Sequence, residues 1–230
     1  MRALGVTALL ALLVGCNGLL DLDEAHLDPT IGAESTAGGS SGGSFSDAGA
    51  GTEGGEAGAA AASLCEQYCQ AVTDGCTGDS TQYTNLEACL ASCPYFPEGS
   101  PGDTSGNTLH CRLNYAGKAP SEPVTYCTWA GPGGDGKCGS NCEGFCALMS
   151  AACTPTTTSA ASDYFPSNDA CLSTCAALPA LGGYCATDTS ITGGADTLEC
   201  RLYHVAAGLY ADDASLHCPH AMGRALCVDK

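Results

Sequence analysis

Near its end the chain reads "CRLYHVAAGLYADDASLHCPHA", residues 200–221, and this stretch holds three of its five histidines. His204 follows Cys200 by about one helical turn, and His217 and His220 flank Cys218. Neutral imidazole is the commonest protein ligand for zinc and copper. If Cys153 staples the helix bearing His204 while Cys218 staples the tail, the three rings converge on one transition-metal or haem site, to which Asp212 or Asp213 could add an oxygen. A plainer reading leaves His204, His217 and His220 as half-buried ring positions with a packing role. Acid–base catalysis by the same rings is a third use. Other catalytic patterns are missing: the chain has no phosphate-binding G-x-x-x-x-G-K-[ST] loop and no H-E-x-x-H.

The cysteines supply a control, because their spacing repeats. The first run is Cys65, Cys69, Cys76, Cys89, Cys93, Cys111, Cys127, Cys138, and the second is Cys142, Cys146, Cys153, Cys171, Cys175, Cys200, Cys218, Cys227. Flanking residues agree as well, "NTLHCRL" around Cys111 answering "DTLECRL" around Cys200. Two copies of one module are therefore expected, at 63–138 and 139–230, with Cys185 left over. That thiol is either buried and free, bonded to another chain, or a sign of different pairing. Where the second copy has its three histidines, the first has Tyr115, Tyr126 and Trp129.

Local signals make both copies helical. Ser63-x-x-Glu66 and Thr84-x-x-Glu87 are capping boxes. Each opens a stretch with apolar positions at helical spacing, Cys65, Tyr68, Cys69 and Val72, then Leu86, Cys89, Leu90 and Cys93. Pro94 stops the second of these helices. In the second copy Asn141 is the expected cap, and third helices should start at Thr108 and Asp196 and end near Gly117 and Gly208. A C-x3-C pair puts both sulfurs on one helix face, so two such helices packed antiparallel join Cys65 to Cys93, Cys69 to Cys89, Cys142 to Cys175 and Cys146 to Cys171. The arrangement resembles the twin C-x3-C helical hairpins of small mitochondrial intermembrane proteins, in geometry and not in kinship. Elimination then pairs Cys76 with Cys111, Cys127 with Cys138, Cys153 with Cys200 and Cys218 with Cys227, although spacing alone does not fix connectivity. Metal-binding C-x2-C knuckles are absent. The expected fold class is a small, all-α, disulfide-rich protein.

Composition says why staples are needed. From residue 63 onward, Leu, Ile, Val and Phe number only 22 while cysteines number 17. Such a chain belongs with disulfide scaffolds, which form in oxidising compartments outside the cytoplasm. The first residues agree. After Arg2 an apolar run from Ala3 to Val14 is too short to span a bilayer and reads as a secretory signal. It ends in Leu13-Val14-Gly15-Cys16, which resembles the lipobox of bacterial lipoproteins. The resemblance implies cleavage after residue 15, acyl chains on Cys16 and stable membrane anchoring. Asn17, standing where Asp would favour inner-membrane retention, leans toward the outer membrane.

Residues 16–62 then shift to Gly, Ala, Ser and acid, a composition expected to be a disordered tether. The formal net charge is −18, and after Arg2 the next basic residue is Arg112. Nucleic-acid binding by phosphate neutralisation is excluded on that balance. The whole arrangement resembles uncharacterised cysteine-rich lipoproteins of myxobacterial type, which imply no activity. The expected function is therefore a membrane-anchored envelope lipoprotein acting as a binding or structural module, not an enzyme. Its partners would be the lipid bilayer and an envelope protein, a surface polymer or a ligand held between the modules. The alternative is a metal- or haem-dependent redox protein using His204, His217 and His220.

Overall fold

The computed structural model describes residues 62–158, 160–188, 191, 194–224 and 226–228. The signal, Cys16 and the tether lie outside these residues. The described chain is all-helical, without a strand, and none of its helices is long and apolar enough to cross a membrane. Four helices form the first half, α1 (Leu64–Gly75), α2 (Leu86–Ser92), α3 (Leu109–Ala116) and α4 (Pro123–Ala130). Four more form the second, α5 (Asn141–Ala152), α6 (Asn168–Cys175), α7 (Leu198–Ala211) and α8 (Ala214–Ala221).

The helix starts follow side-chain capping of orphan backbone donors. Ser63 and Glu66 close a reciprocal capping box on α1, as expected, and Thr108 caps α3. Three caps fall one residue from the expected position. Asn85 rather than Thr84 accepts from Ala88 N–H, Ser140 rather than Asn141 makes the box with Glu143, and Thr197 rather than Asp196 caps α7. In each case the adjacent polar residue is the one whose oxygen reaches the N3 amide. Asp196 instead takes a bidentate pair from the buried Arg201, at 2.6 and 2.8 Å. Gly117 caps α3, whereas α7 runs past Gly208 to Ala211.

The hairpin bridges are Cys65–Cys93, Cys69–Cys89, Cys142–Cys175 and Cys146–Cys171. The remaining four differ from the pairs reached by elimination. Cys76 bonds Cys127 and not Cys111, and Cys111 bonds Cys138; likewise Cys153 bonds Cys218 and not Cys200, and Cys200 bonds Cys227. The physical reason is a fourth helix in each half that the sequence signals missed. α4 packs against both α1 and α3, so Cys127 meets Cys76 at the end of α1. α8 does the same on α5 and α7, bringing Cys218 to Cys153. The pairing pattern of the first half is thus the pattern of the second. An edge-to-face ring pair also recurs, Tyr68–Tyr83 at 6.3 Å and Phe145–Phe165 at 6.4 Å.

Each half has its own apolar cluster, but they share a border. Phe96 of the first half is buried in the cluster of the second. The fully buried Arg112 guanidinium stands over its ring, 4.0 Å from the centroid. Arg112 also donates to Gly131 O, Pro132 O and Thr108 O at 3.2 to 3.4 Å, pinning the loop that carries Cys138. α2 packs against α7, and the 184–187 loop hangs on the 78–82 loop through Ala186 N–H to Thr81 O and Gln82 Nε2 to Tyr184 O. Cys185, buried and free, lies in that seam with its sulfur 3.9 Å from Gly78 O.

Closing a loop by a disulfide restricts the unfolded chain more as the loop lengthens. Cys76–Cys127 spans 51 residues and Cys69–Cys89 spans 20. Replacing Cys76 and Cys127 by Ala should therefore lower the unfolding free energy by about 4 kcal/mol, against about 3 for the Cys69 and Cys89 pair. Guanidinium titration of the two double variants measures this, and an equal loss would reject loop length as the cause. A second outcome concerns the buried Tyr68–Tyr83 hydroxyl pair, 2.9 Å apart. Tyr68 donates to Ala130 O, so Tyr83 donates to Tyr68. Burial pushes the Tyr83 phenol up to about 12. A folded value above the unfolded one, about 10, gives stability that is present below pH 10 and lost as pH rises toward 12. Circular dichroism against pH should show alkaline unfolding in that window, shallower in Tyr83→Phe.

Candidate functional site

The three histidines of the second half are brought together by a tight corner between α7 and α8. Asp212 ends α7 in the left-handed conformation, φ 50°, and Asp213 caps α8 by accepting from Leu216 N–H at 3.1 Å. The two helices fold back on each other. His217 and His220, three residues apart, share the α8 face that meets His204 on α7. Gly208 permits the close approach, since a Cβ there would stand 3.1 Å from His217 Cβ. Cys153–Cys218 locks α8 to the end of α5, and Cys200–Cys227 holds the start of α7 to the tail.

His204 Nδ1 is 3.2 Å from His217 Nδ1 and 3.4 Å from His220 Nδ1, and one nitrogen from each ring lies within 4.8 Å of those from the other two. His204 and His220 are buried and His217 is half-buried. Burial pulls the His217 imidazole below the usual histidine range, the neighbouring His220 adds to this, and Asp213 opposes it. Burial likewise pulls His220 down. Both rings are thereby held neutral near pH 7. A neutral Nδ1 carries either one proton or one lone pair, so His204 Nδ1 cannot complete a proper hydrogen bond to both neighbours. Neither candidate oxygen ligand joins the group: Asp213 is taken up by Leu216 N–H and the Ser215 hydroxyl, and Asp212 is an exposed C-cap. The Cys200 and Cys227 sulfurs lie within 4.8 Å of a His204 nitrogen but are bonded to each other.

The first half shows what the same positions do when filled for packing. Tyr115, Tyr126 and Trp129 form a closed ring cluster, with centroids 5.0 to 5.8 Å apart. Lys118 and Lys137 stand over its faces at 4.9 to 5.8 Å. Stacked faces and a cation over them are the favourable contacts of aromatic rings. The histidine rings of the second half also stack and meet edge to face, with centroids 4.6 to 6.1 Å apart, but in doing so they bring one nitrogen from each ring within 4.8 Å of the others.

Beside His217 a pocket of about 230 Å³ opens on the border between the halves. Tyr83 and Ala88 of the first half face Tyr184, Tyr203, Tyr210 and His217 of the second. Sequence reasoning missed it because its walls come from three separated stretches, and the clustering of tyrosines at 83, 184, 203 and 210 is visible only once the chain is folded.

These features define, among the described residues, an all-helical fold held by eight disulfides. Residues 45–143 match the family model of the BfoA family C-terminal domain, a stretch that takes in the first half and the opening of α5. No curated protein and no solved structure matches the chain.

Gly208→Ala tests the corner. Alanine favours helix by about 1 kcal/mol, which offsets the crowding against His217 Cβ, so stability should change by less than about 1 kcal/mol. The imidazole nitrogen resonances of His204 and His217 should nevertheless shift in NMR spectra. Unchanged resonances would mean that Gly208 does not set their approach.

Proposed function

We propose that this chain is an exported, lipid-anchored binding module of the cell envelope, standing off the outer membrane on its acidic tether. The observation that carries the binding role is the tyrosine-walled pocket at the border of the two halves. Pockets for drug-sized molecules run from about 300 to 1,000 Å³, so 230 Å³ suits a single ring-sized group. Tyrosine offers a flat apolar face and a hydroxyl at its edge, which matches one sugar unit of a surface polymer. The eight disulfides support export, because they persist only in an oxidising compartment. The lipobox at Cys16 supports anchoring. The two halves are read as copies of one module, at 63–138 and 139–230, fused along the shared border. A haem-dependent role finds no support here, since the pocket beside His217 is too small for a macrocycle.

Fragments of envelope polysaccharide titrated against the mature protein, read by tyrosine fluorescence, should bind, and Tyr203→Ala should weaken that binding by about tenfold, the worth of one ring contact of roughly 1.4 kcal/mol. Equal binding by wild type and variant would remove the pocket from the reading. Intact-mass spectrometry after alkylation under denaturing conditions should find acyl mass on Cys16 and a single alkylated thiol, Cys185. A mature chain without acyl mass would remove the anchor.

A further inference from the structure

We infer that His204, His217 and His220 form a binding site for one divalent transition-metal ion of the zinc or copper kind, held through three Nδ1 atoms with a fourth position open. This rests neither on the lipid anchor nor on the tyrosine pocket.

Three observations carry it. Metal geometry sets the spacing of donor atoms. A tetrahedral ion at 2.0 to 2.1 Å from each nitrogen holds any two of them about 3.3 Å apart. The His204–His217 and His204–His220 separations, 3.2 and 3.4 Å, bracket that value. The donor set suits such an ion, because imidazoles bind zinc and copper through a ring-nitrogen lone pair. A metal also resolves the conflict at His204 Nδ1, which faces two like nitrogens with one proton or one lone pair to share; an ion accepts all three lone pairs at one point.

The structure also fixes the donors firmly. The corner at Asp212 and Asp213 and the Cys153–Cys218 bridge beside His217 hold α8 on α7 and α5. Rigid placement on helices is what such a site needs. Both acids nearby are otherwise placed, so protein supplies three ligands and leaves a position for water or a small external ligand, the composition of an open zinc site. The corresponding rings of the first half, Tyr115, Tyr126 and Trp129, offer no such lone pairs and pack face to edge under lysines.

The test uses the full mature chain with its disulfides intact. Cobalt(II) and zinc(II) are titrated as the probe metals, with cobalt read by the strong visible bands of a four-coordinate ion and bound zinc counted after gel filtration. One ion per chain is expected. His217→Ala, at the half-exposed position, should weaken binding by about 100-fold or more, since even losing a supporting contact costs 10- to 100-fold. A triple variant copying the first half, His204→Tyr, His217→Tyr and His220→Trp, should keep eight disulfides and the wild-type circular dichroism while binding no ion. Should that variant misfold, His217→Ala alone decides. Retention of the ion in His217→Ala, or no stoichiometric ion in the wild type, would overturn the assignment.

Discussion

The bridge from the end of the first helix of each half to its last helix, Cys76–Cys127 and Cys153–Cys218, is the constraint on which the remainder depends. The helices are short, from 7 to 14 residues, and isolated helices of that length are marginal in water. Their packing must hold them, yet large aliphatic side chains are scarce. Covalent closure of loops of 51 and 65 residues makes up the shortfall by limiting the unfolded chain, and it does so where the chain must return on itself. With α4 fixed on α1 and α8 fixed on α5, the ring clusters beneath them have one arrangement. The histidine group is a direct result, because His217 and His220 ride on the helix that Cys218 ties down.

How far the fold could be read from sequence depended on which signals are local. Capping oxygens, apolar spacing and C-x3-C pairs all act within one helix or one hairpin, and the helices and hairpin bridges they imply are present. α4 and α8 escaped notice for identifiable reasons. α4 begins at Pro123 with no side-chain cap, and α8 contains Pro219, which normally argues against a helix interior. Pairing the remaining cysteines by elimination then went astray in both halves alike. The three histidines were legible through the internal repeat, which set them against three aromatic rings at matching places. Their nitrogen spacing was not, since it follows from the αα corner and from the missing side chain at Gly208.

The border between the halves shows a different economy. Among the described residues its hydrogen bonds run to backbone carbonyls, from Ala186 N–H, the Gln82 amide and the Thr187 hydroxyl. Shape does the remaining work, with α2 laid on α7 and Phe96 passed across into the neighbouring cluster beneath the Arg112 guanidinium. A pocket arises there because two curved helical surfaces meet along a line and leave a gap beside it. Tyrosine lines the gap comfortably, being apolar enough to bury and polar enough to face water at its rim.

Phe96 carries one more implication. The stretch similar to a known family ends at residue 143, just beyond the first half, whereas the ring that completes the second half's cluster comes from within that stretch. A polypeptide made of the first half alone would leave open to solvent the side of this phenylalanine that the second half covers. The second half supplies the cover, so this ring is sheltered only when both halves are present in one chain.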